Sequence, residues 1–177
     1  MIQQSGAEEP IIVVNYDPAW PLAFEQERAQ IAAALGEWAR AIEHIGSTSV
    51  PGLRAKPVID ILVAVDRLDR ADEYAARLAP LGYVYRPHDD DDERLFFRKG
   101  TPRSHHLHMV VLGGSEHVRH VRFRDILRAE PETARDYAAL KDALAAQFRD
   151  QREAYVDGKT EFVTGVLVRA ENEDRRE

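Results

Sequence analysis

Two periods of apolar and polar positions alternate along this chain. Ala41 to Ile45 and Val58 to Val65 are nearly continuous apolar runs, the second rich in β-branched residues. Turn residues bound them: Gly46-Ser47, Pro51-Gly52 and Lys56-Pro57. Such short runs predict strands, and the second reads as buried. Arg94 to Lys99 and His105 to Leu112 predict two more strands, joined as a hairpin through Gly100-Thr101-Pro102. Ile11 to Val14 and Val84-Tyr85 predict shorter ones. Ser47 to Val50 reads as a turn or a short helix.

Elsewhere the spacing is helical. Asp17-Pro18 supplies an N-cap acid and a first-turn proline for a helix running to about Leu35, with Phe24, Ile31 and Leu35 on one face and Gly36 as its stop. Leu68 to Leu81 predicts a second helix, ended by Gly82. After Gly113-Gly114 the pattern is helical throughout: Ser115 to about Ala129, Pro131 to about Val156, and a last helix past Gly158 through Phe162, Val166 and Leu167. The stretch His88 to Glu93 is too polar to bury and reads as a loop. A strand-rich first part followed by a helical second part predicts one α+β domain over residues 1–177, with helices packed on a sheet and residues 1–10 and 171–177 as flexible ends.

Composition narrows the function. The chain has 177 residues, no cysteine and a net charge of −7. Disulfides and thiolate zinc sites are thereby excluded. No apolar run reaches about 18 residues, so no membrane partner is expected. The N-terminus lacks the basic and apolar regions of a signal peptide, which makes cytoplasmic the expected location. The acidic balance argues against DNA as a partner. Arg94, Arg98, Lys99 and Arg103 nevertheless cluster, which suits either a small anionic ligand or a solvated basic hairpin.

The sharpest chemical signal is Asp60 inside the run Val58 to Val65. An ionised carboxylate on a buried strand is costly unless it is paired or holds a metal. His106 and His108 are two apart on a predicted strand and so share a face. Glu43 and His44 face opposite ways just before the Gly46-Ser47 turn, and Glu43 is the favoured extra carboxylate. If the chain enters a helix at Ser47, its free amides suit a phosphate, and Gly46 allows close approach; the bland alternative is a turn with an N-cap serine. Lys56 and Arg98 are candidates for phosphate contact, each with an ordinary surface alternative. Arg122, Arg124 and Arg128 read as surface or interhelix contacts, and Tyr137 with Lys141 as a distant pocket rim. No Walker loop, dinucleotide fingerprint, Gly-x-Ser-x-Gly elbow or HExxH motif is present, which removes kinase, dehydrogenase, α/β-hydrolase and zincin readings.

The segment IEHIGSTSVPGLRAKPVIDILVAV resembles the core of the nucleotidyltransferase superfamily: a strand, a Gly-Ser turn, and a second strand carrying metal-binding acids. More closely, the chain resembles the GrpB family. That likeness is carried by this segment and by VNYDPAWPLAFEQE, LGYVYR, ERLFFRKG, HHLHMVV, FRDILRAEP and ARDYAALKDALA, from Val14 to about Phe162. The resemblance implies a nucleotidyltransferase-like mixed sheet with a helical C-terminal part. It also implies that Gly46 and Ser47 hold phosphate and that Asp60 holds a divalent metal. Leu62 stands where a second acid is usual. A strand beside that of Asp60 would bring His106 and His108 to the same site, and two imidazoles with a carboxylate suit Zn²⁺, Mn²⁺ or Fe²⁺ better than Mg²⁺. Three functions follow as expectations: metal-dependent nucleotidyl transfer to a small acceptor, a non-catalytic nucleotide- or metabolite-binding module, or a metal-dependent hydrolase. In each, the partner is a nucleotide or another small phosphorylated molecule.

Overall fold

The computed structural model describes residues 10–89 and 92–176. Its elements are α1 (Trp20–Leu35), β1 (Ala41–Ile45), β2 (Ile59–Val65), α2 (Ala71–Leu78), β3 (Tyr83–Tyr85), β4 (Arg94–Lys99), β5 (His105–Val111), α3 (Ser115–Ala129), α4 (Pro131–Gln147), α5 (Arg152–Asp157) and α6 (Thr160–Asp174). The strands form one mixed sheet in the order β1-β2-β5-β4-β3. β2 and β5 run parallel, and every other neighbouring pair is antiparallel. No helix among the described residues is long and apolar enough to cross a membrane.

Strand parity divides the sheet into two unlike faces. Ile59, Ile61, Val63 and Val65 of β2, Leu107 and Met109 of β5, and Leu95 and Phe97 of β4 point to one side. There they meet Trp20, Phe24, Ile31 and Leu35 of α1 and Tyr74 and Leu78 of α2 in the main core. Polar side chains also enter this core, among them His44, stacked on Phe24, and Glu27. Glu27 of α1 is 4% exposed and accepts two hydrogen bonds from Lys99 Nζ, at 2.7 and 2.9 Å. The opposite face carries Glu43, Ile45, Asp60, Leu62, His106, His108, Phe96 and Arg98. Here only Ile45, Leu62 and Val110 make an apolar patch, covered by Val121 of α3. β2 lies under cover on both sides, which explains its apolar run, broken only by Asp60.

Three expectations needed correction. The segment 11–14 forms no strand: Val14 makes an isolated antiparallel bridge to Ala55, and Ile11 N donates to the Arg149 carbonyl. The helix read from Pro131 to Val156 is two helices. The chain leaves helical geometry at Phe148 (φ −121°, ψ 39°) and resumes at Arg152, and the bond from Ile11 uses a carbonyl in that gap. The second helix is shorter than 68–81: residues 79–81 form a 3₁₀ turn, closed by Gly82 in the left-handed region.

Candidate functional site

β1 ends at Ile45, directly opposite Asp60 in register, and Asp60 is in turn opposite His106. Between Ile45 and the 3₁₀ turn Ser47–Ser49, Gly46 takes φ +69°. A Cβ at this position would lie 2.5 Å from Asp60 Oδ2. Glycine is therefore required to let the Asp60 side chain occupy its place. Asp60 Oδ1 accepts from His106 Nδ1 at 3.1 Å and lies 3.7 Å from His108 Nε2. Burial pushes the Asp60 carboxyl up, but the contacts from His106 and His108 more than offset this and hold it well below the usual carboxylate range. Burial lowers His108 to about 4, its contact with Asp60 offsetting only part of the effect. Asp60 is thus an anion at neutral pH beside a neutral His108. His106 Nε2 and His108 Nδ1 are buried and make no hydrogen bond among the described residues.

These residues form the floor of a cavity of about 420 Å³. Its opposite wall comes from the C-terminal helices. Lys56, Lys141 and Lys159 line it, each from a different segment. Among the described residues Asp60 is the one carboxylate in the lining, and none of the three lysines has a carboxylate within ion-pairing distance. Burial lowers Lys56 to about 8 and Lys141 to about 7, in both cases with help from neighbouring positive charge; burial lowers Lys159 as well. Arg94, Arg98, Arg119, Arg124 and Arg152 add guanidinium groups to the same lining. A protein of net charge −7 thus concentrates positive charge around one enclosed volume.

Two tyrosine–lysine pairs build the helical wall. Tyr137 and Lys141 are one helical turn apart on α4, and Lys141 Nζ sits 4.9 Å from the Tyr137 ring centroid. Tyr155 and Lys159 repeat the spacing across the α5–α6 junction, with Nζ 4.5 Å from the ring. Lys56 Nζ approaches the same Tyr155 ring at 5.1 Å. Tyr155 is 1% exposed and packs with Leu144 and Ile11, so it fixes the position of both ammonium groups. Lys141 also reaches β1's turn directly: Nζ lies 2.9 Å from Ser47 Oγ and donates to the Arg54 carbonyl.

The GrpB protein family model matches residues 10–169. This chain belongs to the GrpB family. A crystal structure of the conserved protein GrpB from Enterococcus faecalis superimposes with a TM-score of 0.81 at 37% identity, over 90% of this chain and 96% of that one. The UPF0157 protein of Pseudomonas aeruginosa is 42% identical over 168 residues, which is 92% of this chain and 69% of that protein. A dephospho-CoA kinase of Mycolicibacterium paratuberculosis is 28% identical over 190 residues, 93% of this chain but 47% of that protein, so the chain spans about half of its length. The fold shared within the family is thus this mixed α+β arrangement of a five-stranded sheet and helices.

In this GrpB-family chain, Asp60, His106 and His108 converge as strand parity implied, and Gly46, Ser47, Lys56 and Arg98 line the same cavity. Glu43 does not join them. It lies on the expected face, but its carboxylate accepts from Arg124 Nη1 at 2.7 Å and faces His117 Nε2 at 3.5 Å, beyond the apolar patch of Ile45 and Leu62. Arg124 and Arg128, read as surface or interhelix residues, instead brace the turn: Arg124 also donates to the His44 carbonyl, and Arg128 donates twice to that of Ser49. A short 3₁₀ turn, not an α-helix, opens at Ser47. The 3₁₀ turn has three residues, and the amides of Ser49 and Val50 are used within it. Leu62 is 1% exposed beneath α3, which closes the place of the second acid to ligands. Lys99 leaves the basic hairpin for the opposite face and Glu27. Among the described residues, no three His, Asp or Glu side chains are grouped so as to hold an ion. Sequence reading left out Lys159, Tyr155 and Arg152 and set Lys141 at the rim. The repeated Tyr-x-x-x-Lys spacing, YAALK and YVDGK, is a signal that would have pointed to this wall.

Proposed function

We infer that the cavity binds a small phosphorylated molecule of about mononucleotide size. One observation carries this reading: Lys56, Lys141 and Lys159 converge on one cavity, and among the described residues no carboxylate is in contact with any of them. Gathering three ammonium groups in partial burial is unfavourable for the empty protein, as their lowered pKa values register. A phosphate dianion reverses that cost. Lys56, Lys159 and Arg98 are placed to hold it, with Ser47 as a hydroxyl donor. A volume of about 420 Å³ admits a single nucleotide or sugar phosphate and excludes a duplex. The likeness to proteins named dephospho-CoA kinase supports the same ligand class, since that name denotes a phosphorylated metabolite. This chain has no Walker loop of its own, so it would serve such a ligand by binding or by transfer, not as the kinase.

Calorimetry with mononucleotides, sugar phosphates and coenzyme A precursors tests the reading. Micromolar binding of at least one, weakened roughly a hundredfold in Lys56→Ala with Lys159→Ala, is the expected result. No heat from any phosphate ligand, or undiminished binding in the double variant, refutes it.

A second reading is metal-dependent nucleotidyl transfer on a nucleotidyltransferase-like fold. It is favoured by the Asp60 carboxylate, held ionised in front of two imidazoles that have unpaired buried nitrogens. One carboxylate and two imidazoles are donor types that suit Mn²⁺ or Zn²⁺, although as placed the three are not grouped to hold an ion. A bound cation would neutralise charge on the phosphate oxygens; the residues themselves bind and orient the phosphate. Turnover of a nucleotide that requires divalent metal separates this reading from simple binding.

A further inference from the structure

Lys141 is a buried amine with an unusual set of neighbours. It is 3% exposed, and its Nζ meets two oxygens: the Arg54 carbonyl, which can only accept, and the Ser47 hydroxyl at 2.9 Å, which can also donate. One N–H is committed to Arg54. A neutral amine then has a lone pair to take the Ser47 proton. Burial and the charge of Lys159 bring Lys141 to about 7, so much of it is uncharged near neutral pH. Ser47 is half-buried and lines the cavity; it also interacts with the Tyr137 hydroxyl. Arg128 holds the carbonyl of Ser49 and Gly46 shapes the backbone before Ser47, so the hydroxyl is fixed from both sides.

We propose that Ser47 Oγ is a nucleophile and Lys141 Nζ its general base, and that the pair accepts a phosphoryl group from a phosphate ester bound in the cavity. The electrophile rests on the phosphate-binding reading above; the pairing of serine with lysine does not. As Oγ attacks phosphorus, the Oγ–P bond forms and the hydroxyl proton passes to Nζ. The P–O bond to the leaving group breaks, its electron pair departs on that oxygen, and the Lys141 ammonium can return the proton to it. The product is a phosphoserine at position 47. Water, giving its proton to the same amine, then releases inorganic phosphate and restores the serine. Lys56 and Lys159 offset charge on the phosphoryl oxygens, and Asp60 lies beyond the turn as a fixed negative boundary.

Two probes separate the claims: para-nitrophenyl phosphate, an anionic ester, and an alkyl fluorophosphonate, which needs no anion pocket. Incubate each with the full chain and locate adducts by intact mass and peptide mapping. Both should modify Ser47, and Ser47→Ala should abolish the adduct. Lys141→Ala should slow modification about 100-fold, with partial restoration by added ethylamine, which a merely structural lysine would not give. In the wild type the rate should climb as pH rises through about 7 and then level off. Modification by the fluorophosphonate alone keeps the serine–lysine pair and discards the phosphate ester as its substrate. Bound phosphate ligand with Ser47 untouched by either probe overturns the pair. So does a Lys141→Ala or Lys141→Met protein that reacts at the wild-type rate. Should both lysine variants fail to fold, a flat wild-type pH profile between 6 and 9 overturns it equally.

Discussion

Gly46 and Asp60 compete for one volume: a Cβ on residue 46 would fall 2.5 Å from Asp60 Oδ2 and 2.9 Å from its Cβ. Gly46 also sits at φ +69°, where an L side chain is strained. Gly46→Ala should therefore destabilise by upward of about 2 kcal/mol in urea denaturation, combining strain with the clash. In an Asp60→Gly background the same change should cost only about 1 kcal/mol, the backbone strain alone. Equal costs in both backgrounds would show that the two residues do not meet.

On the metal-dependent reading, Asp60 is the residue through which a divalent cation would act. Mn²⁺ or Zn²⁺ at about a hundredfold excess over Kd should stabilise the native state by about 2.7 kcal/mol. Thermal denaturation of Asp60→Ala should show no such rise. A rise of the same size in the variant would place the ion elsewhere on the protein.

Acid should unfold this protein earlier than its carboxylates alone would require. Burial lowers both His44 and His108 to about 4, against an ordinary 6.5. The folded state keeps them neutral while the unfolded chain takes up protons below pH 6.5. Their contribution is therefore complete above about 6.5 and is lost progressively as pH falls toward 4. His44 is stacked on Phe24 at 4.8 Å and bonded to Thr48 Oγ1 at 2.9 Å, so it has no room to hydrate on protonation. Melting temperature followed across this window should fall, and His44→Gln should flatten the slope. An unchanged slope would mean that other groups govern the acid limb.

The lysines act in the opposite window. Lys141 at about 7 and Lys56 at about 8 are both below their ordinary 10.5. The folded state prefers the neutral amines and the unfolded state the charged ones, so stability rises as pH increases from about 7 toward 10. Pyrophosphate, by pairing with the ammonium forms, should raise the melting temperature much more at pH 7 than at pH 10. Parallel curves with and without pyrophosphate would mean that the anion binds outside the cavity.

How far the sequence disclosed this site depends on the physics behind each residue. Asp60, His106 and His108 were legible because strand parity is a local property, and two residues fix it. The neighbours of Asp60 in the next strand came from family likeness, since a parallel pairing across 40-odd residues leaves no local trace. Glu43 had the right parity, but its capture by Arg124 depends on how α3 crosses the sheet. Lys141 and Lys159 lay hidden because a lysine on a helix reads as solvated until the opposing wall is known. The break at Phe148 was also invisible: helical spacing continues through it, and the tertiary bond from Ile11 uses the carbonyl in the gap. Gly46 was read as room for a ligand, whereas the crowding atom belongs to the protein's own Asp60.

The cavity's two walls are built very differently. The Asp60 wall belongs to β2, hydrogen-bonded on both edges and buried on both faces, so its geometry is inherited from the whole sheet. Lys141 and Lys159 stand on the C-terminal helices, which meet the rest of the chain through Tyr155, Tyr137 and their apolar neighbours and through side-chain hydrogen bonds from Arg124, Arg128 and Lys141. Whatever bridges the walls works like a bolt through a hinge plate. On the phosphate-binding reading, the last third of the molecule would be fastened partly by its own cargo, and its firmness would report on whether the cavity is filled.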